Sequence, residues 1–459
     1  MLFLVPFVLL IHLLLLTNTR FTLWPEMVVY PYLLNNGFSL YKDIINPYPP
    51  LMVGFLSIFS KISGYGPIPF QILTWLMILV TNLSIFFVTQ KLFKNSSLAL
   101  LSTLFFVILS VPFLINGLWF DLVQTPLIIF SFYFFYQYLS KKKSEQLFFS
   151  FFLLTIAFFI KQQTLWLIAF FIIVLIVKSG KKTKEIFIKN PFISLPFFFL
   201  IFLQIIIFWQ KGLIWEYLYW VYYFPFFLAS KMPGYVLFPT IRQLVTVSAL
   251  FLLFTPIILK KNLKLIFPVV TGLVLVLFAY PRFDYFHLIP TLAILSLVVG
   301  QNLKAFSKSK LKAQTIFVLS LIFLSIFTIK YFKNNLTREV RFFEKDMYGQ
   351  AAFLKKITVK DEPVYIQNGP DQLLPLAQRL PIKPWAIQFP WYLELEGIQD
   401  RILEGLKQEK PKFIIYKPYD SLLRYEIGGY RPQKIADFVE QNYQNLIKIS
   451  DTLWLKVKQ

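Results

Sequence analysis

The chain contains no cysteine. Disulfides, thiolate metal sites and cysteine nucleophiles are therefore excluded. Its two histidines, His12 and His287, are too few for a histidine-rich metal centre. Acidic residues are also scarce, with 23 Asp and Glu against 46 Lys and Arg, and only seven of those acids fall within residues 1–330. There are no internal repeats and no low-complexity segments. The last 130 residues or so show neither a glycine-rich phosphate loop nor a nucleophile elbow.

What the chain has in abundance is apolar surface. It is 57% hydrophobic and 19% aromatic, with 54 phenylalanines. Repeated apolar runs of this kind leave one class, a polytopic α-helical membrane protein. Runs lie near residues 1–17, 67–89, 98–115, 118–139, 147–160, 164–177, 192–209, 244–259, 265–280, 287–300 and 313–330, which predicts about eleven spans. Residues 1–17 lack a basic start and a small-residue cleavage site, so they read as a retained first span.

The basic excess does not point to nucleic acid. Residues 1–330 hold 26 Lys and Arg, and these cluster in short loops between apolar runs. No basic face with interleaved aromatics occurs in a soluble segment, and a nucleic-acid partner is not expected. The loops KLFKNSS, SKKKSEQ, KSGKKTKEIFIKN, KKNLK and QNLKAFSKSKLK carry 17 lysines, and the alternate set carries 8 Lys and Arg. The positive-inside rule makes the first set cytoplasmic. The N-terminus is then inside, and residues 18–66 and 331–459 are extracytoplasmic. This requires two short spans in 147–177, with Lys161 at the outer surface, because a single helix would bury KQQT in lipid.

The tail, 331–459, changes character. PVYIQ and KFIIYKP read as strands; DRILEGLKQEK and KIADFVEQNYQNLI read as helices by their 3.6-residue apolar spacing. The expected organisation is a membrane domain, 1–330, with a first outer loop at 18–66, and a small extracytoplasmic α/β domain, 331–459.

The acids of the membrane part then sort by side. Glu145 and Glu185 fall in lysine-rich loops and read as solvated charge. Glu26, Asp43, Asp121, Glu216 and Asp284 all fall on the outer side, with Lys161, Arg242, Arg282 and His287. Carboxylates act as general bases or hold a divalent ion. Cations hold phosphate. Each residue also has a plainer reading. Glu26, after Trp24-Pro25, suits a helix N-terminus, as does Asp121 in GLWFDLVQTP. Asp43 in YKDIINPYPP suits a turn. Lys161 in FFIKQQTLW could snorkel, and Arg282 and Asp284 in PRFDYFHLIP could pair with each other. Glu216 in IWEYLYWVYYF fits an interfacial aromatic belt.

Taken together these segments resemble the GT-C glycosyltransferases, specifically the family 39 group, which includes protein O-mannosyltransferases and lipid A aminoarabinose transferases. An acid after the first span followed by NNGFSLYKDIINPYPPL looks like that group's first outer loop. IAFFIKQQTLWLIAFF is similar to its lysine-bearing helix-end motif, and PRFDYFHLIPTLAIL resembles the segment opening a late span. The tail resembles the extracytoplasmic tail of bacterial members. One departure stands out: the group's first-loop acid is usually Asp, often beside a second acid, whereas Glu26 stands alone.

The resemblance implies a multi-pass protein of the plasma (inner) membrane that takes a sugar from a polyprenyl-phosphate-linked donor. It passes that sugar, with inversion, to a hydroxyl of a protein, lipid or glycan acceptor. It implies Glu26 or Asp43 as the base and Asp121 as a residue orienting the acceptor or a metal. Lys161, Arg282 and His287 would bind the donor phosphate, with Asp284 supporting them. No cofactor is assigned, and a divalent metal is left open. Two competing classes are a transporter or lipid flippase, and a polysaccharide polymerase or ligase with a lipid-pyrophosphate donor. The first would show inverted repeats and midplane charges.

Overall fold

The computed structural model describes residues 4–180, 191–232, 235–385, 390–417, 432–451 and 453–459. Glu185 and most lysines of the KSGKKTKEIFIKN loop lie outside the described residues. The chain forms two compact units. The first comprises Met1–Thr22, Gln71–Gln204 and Leu237–Glu339; the second comprises Leu23–Phe70, Ile205–Val236 and Val340–Gln459.

The first unit is helical. Four helices of the chain are long and apolar enough to cross a membrane: Pro67–Phe93, Phe120–Lys141, Gln162–Ser179 and Leu311–Asn335. A pair bent by 58°, Tyr285–Ser296 and Val299–Phe306, gives a fifth if counted as one span. Six shorter apolar helices, among them Leu4–Thr17, Ser144–Ile160 and Leu195–Gln210, lie on the remaining predicted runs. Among the described residues four or five helices are thus long and apolar enough to cross; eleven spans remains the sequence-based expectation.

The core of this unit is aromatic. Phe135 and Phe171 stack with centroids 3.9 Å apart, and Phe267 stacks against Phe132, Phe135 and Phe170. Between apolar helices such packing, rather than water exclusion, holds the bundle. Some of its buried polar groups pair across helices. Asn82 Nδ2 lies 2.8 Å from His12 Nδ1, and Asn116 Nδ2 donates to the Leu16 carbonyl that ends the first helix. The break expected near KQQT is present. Helix Ser144–Ile160 ends at Lys161, whose backbone is extended (φ −153°, ψ 124°), and a 3₁₀ turn over Gln162–Thr164 starts the next helix. The expected span near 287–300 falls on this bent pair. Its second helix is drawn against the Ser96–Ser110 helix at Gly300, where a Cβ would lie 2.8 Å from Leu98 Cδ2.

The second unit combines the first loop, residues 205–236 and the tail. The first loop is not irregular: it forms helices Glu26–Asn35 and Leu51–Ser63. Among the described residues the tail carries a four-stranded sheet of β1 (Val364–Gln367), β2 (Phe413–Tyr416), β3 (Tyr443–Ser450) and β4 (Leu453–Lys458), in the order β1-β2-β4-β3. β1 and β2 run parallel, as predicted strands joined by a helix should, and the other pairs are antiparallel. The predicted helix KIADFVEQNYQNLI is half right. It ends at Asn442, and Tyr443 onward is strand. Ile435 and Val439 set the helical spacing, but β3 sits at the sheet edge with Gln444–Lys448 exposed, so no apolar alternation marks it.

Candidate active site

In the first unit three predicted residues converge. Asp121 occupies the first turn of helix Phe120–Lys141, after the extended Trp119. Lys161 sits at the helix break described above. His287 lies in the 3₁₀ turn Tyr285–Leu288. Asp121 Oδ2 is 2.7 Å from Lys161 Nζ and 2.8 Å from His287 Nδ1, and those two nitrogens are 3.1 Å apart. All three are buried; Lys161 is 1% exposed. The Lys161 side chain is enclosed by protein. Its ammonium does not snorkel, because a buried carboxylate holds it in place.

A neutral His287 with its proton on Nδ1 donates to Asp121; with its proton on Nε2 it accepts from Lys161. Gln124, one turn after Asp121, donates to Asp121 Oδ1 at 3.4 Å and accepts from Thr164 Oγ1 at 2.9 Å. Gln124 and Thr164 were not singled out in the sequence. The signal for Gln124 was its i+3 spacing from Asp121 on one helix face. Arg282 lies within electrostatic reach of His287. Asp284 accepts from the Tyr285 backbone N–H at 2.6 Å and so caps the turn that carries His287. Arg242 stands apart from this cluster and lines a cavity of about 320 Å³ with Lys330, Gln243 and Tyr285. Among the described residues no three His, Asp or Glu side chains converge as a metal site.

The second unit holds Glu26, Asp43 and the half-buried Glu216. Glu26 opens helix Glu26–Asn35 and is 6% exposed. Its Oε2 has no hydrogen-bond partner in the protein. A helix N-terminus favours negative charge, yet burial wins and pushes the Glu26 carboxyl up to about 7. Burial, and then the charge of Glu26, also raise the Tyr30 hydroxyl well above its ordinary value. Asp43 is occupied differently. Its Oδ2 accepts from the Ser39 N–H at 2.8 Å and lies 3.9 Å from Lys383 Nζ, while its carbonyl accepts from the Trp385 N–H at 2.7 Å. Those contacts fit the turn-forming reading of Asp43.

Comparison with known proteins follows from this geometry. Residues 48–209, about a third of the chain, match the family model described as dolichyl-phosphate-mannose-protein mannosyltransferase. That stretch contains Asp121 and Lys161. The whole fold is similar to the crystal structure of ArnT from Cupriavidus metallidurans bound to undecaprenyl phosphate. The TM-score is 0.61 at 9% identity, covering 99% of this chain and 97% of that one. The apo state of the same protein gives a TM-score of 0.57 at 12% identity over the same shares. The fold of the chain is similar to that of ArnT over nearly its whole length. The resemblance to the family 39 group read from the sequence therefore holds. The family-model match agrees with the glycosyltransferase class expected from the sequence. No curated protein matches the sequence.

Proposed function

We propose that the chain transfers a hexose or pentose from a polyprenyl-phosphate-linked donor to an acceptor hydroxyl on the extracytoplasmic side, with inversion. The lysine distribution among the loops supports that sidedness, with the N-terminus cytoplasmic and the tail outside. The acceptor is a hydroxyl of a protein, lipid or glycan.

The observation that carries this reading is Glu26: a buried carboxylate with an unpartnered oxygen and a proton affinity set near neutrality. A general base works best when its pKa lies close to the working pH. Glu26 takes the acceptor's hydroxyl proton as the acceptor oxygen bonds to the anomeric carbon. The bond from that carbon to the phosphate oxygen breaks through an oxocarbenium-like state, and its electron pair leaves with the phosphate. Lys161 and Arg282 stabilise the departing phosphate by their charge. Asp121 and His287 hold the Lys161 ammonium, and Asp284 holds His287 by capping its turn. Asp43, whose carboxylate is engaged with Ser39 and Lys383, is the weaker candidate for the base.

A panel of polyprenyl-phosphate sugars tests the reaction class. The protein in lipid nanodiscs, given an envelope acceptor fraction, is expected to release free polyprenyl phosphate from at least one donor. Release only from lipid-pyrophosphate donors would instead favour the polymerase or ligase class.

A pH prediction follows from Glu26. The carboxylate form is the base, so activity should rise through about pH 7 and level off above it. Stability should move the other way. The folded chain holds this proton more tightly than the unfolded chain, whose glutamate titrates near 4.5. Its contribution is fully present below about 4.5 and is lost as pH rises through about 7. A pH–rate profile beside thermal unfolding at each pH checks both signs.

A further inference from the structure

The tail contributes buried polar groups that the proposed reaction does not use. Gln367 ends strand β1, and its side chain is fully buried with neither Oε1 nor Nε2 partnered in the protein. In the turn that follows, Gln372 Oε1 is buried and unpartnered, although its Nε2 donates to the Phe342 carbonyl. Trp385 is 3% exposed, and its indole N–H is also unpartnered. Buried polar groups are almost always satisfied, so several in one region call for a ligand or trapped water.

Trp385 and Asp371 are tied to Glu26 through Tyr30, one turn along the same helix. Tyr30 meets Trp385 edge-on at 5.7 Å and lies within electrostatic reach of both Glu26 and Asp371. Helix Leu373–Ala377, which follows Asp371, packs on the Glu26–Asn35 helix. The Trp385 segment is fixed from behind, because a Cβ at Gly405 would collide with the Lys383 carbonyl oxygen.

The chemistry of the set narrows the ligand. Two carboxylates repel a phosphate. A bare cation would satisfy the carboxylates but not the indole and amide N–H donors. A sugar ring fits all of them. Its hydroxyls donate to the carboxylates and the glutamine oxygens and accept from the indole and amide N–H groups. Its C–H face suits the aromatic rings.

We propose that the tail forms a sugar-recognition site in which Gln367, Asp371, Gln372 and Trp385 bind the ring hydroxyls beside Glu26 and Tyr30. This rests on the reading of Glu26 as the base only for its role in turnover; the binding itself is separable. The sugar could be that of the donor or that of a glycan acceptor.

The test is saturation-transfer NMR on the full-length protein in nanodiscs. The probes are methyl hexosides, methyl pentosides and a polyprenyl-phosphate hexose, and the proteins are wild type, Gln367→Met and Trp385→Phe. Wild type is expected to saturate ring protons of at least one probe, and each variant to weaken that signal tenfold or more with its thermal unfolding intact. Binding of the lipid-linked probe alone identifies the donor sugar, and binding of the free glycosides alone identifies an acceptor glycan. No binding of any probe to wild type, or equal binding to both variants, overturns the proposal and leaves these groups solvating trapped water. If one variant fails to fold, the other carries the test on its own. Binding without turnover of any donor would retain the sugar site and reject Glu26 as the base.

Discussion

Glu26→Gln is expected to cut turnover by about 10²- to 10⁴-fold, the usual worth of a positioned general base, while the protein folds normally. Glutamine keeps the shape of glutamate and cannot accept the proton. Glu26 Oε2 makes no hydrogen bond within the protein, so little in the fold depends on its charge. Burial makes that charge costly above about pH 7, and the variant should be as stable as wild type there, or more so. Activity and stability thus move in opposite directions, which a structural glutamate would not produce. The rise in rate through about pH 7 should vanish with it. Asp43→Asn, by contrast, keeps an acceptor for the Ser39 N–H and loses only a long contact to the half-exposed Lys383. It should stay within a few-fold of wild-type activity and keep the pH profile.

The second large effect concerns Asp121 and Lys161. Each single replacement, Asp121→Asn or Lys161→Met, leaves one charged partner buried without its counter-charge. Breaking such a buried pair costs about 3–5 kcal/mol. Both variants should unfold at clearly lower temperature in detergent or nanodiscs. The double variant removes both charges and should recover much of that loss, so its destabilisation should fall well short of the sum of the two single losses in a double-mutant cycle. Activity should not recover with it, because the cation that stabilises the leaving phosphate is gone. Recovery of stability without recovery of turnover separates the two roles of Lys161. A Lys161→Met protein with full turnover would remove this residue from the mechanism.

Much of the helical fold was legible because lipid imposes a simple rule on sequence. Long apolar runs flanked by lysine loops marked helices at Pro67–Phe93, Phe120–Lys141 and Leu311–Asn335. The polar KQQT marked the break between two shorter ones. The tail strands β1 and β2 were legible as apolar runs, each ending in a polar residue. Strand β3 was not, because an edge strand with mostly exposed side chains carries no alternation. The bend at Leu297–Val298 was invisible because nothing in the local sequence breaks a helix there; the helix after it lies close against Leu98 at Gly300.

The individual acids and cations could be chosen from sequence, since charges are rare in apolar segments. Their convergence could not. Asp121, Lys161 and His287 meet across separations of 40, 126 and 166 positions, and nothing local encodes that. The same holds for Trp385 and Asp371 near Tyr30. Those tail residues looked like ordinary soluble-domain composition until the fold brought them to the helix that begins at Glu26.

The central claim is that Glu26 removes a proton from an acceptor hydroxyl during sugar transfer. The most direct measurement is single-turnover release of polyprenyl phosphate by wild type, Glu26→Gln and Asp43→Asn in nanodiscs, across pH 5.5 to about 9. The account predicts release by wild type and Asp43→Asn that rises through about pH 7, and loss of release by Glu26→Gln at every pH. Full release by Glu26→Gln, or loss confined to Asp43→Asn, would contradict it.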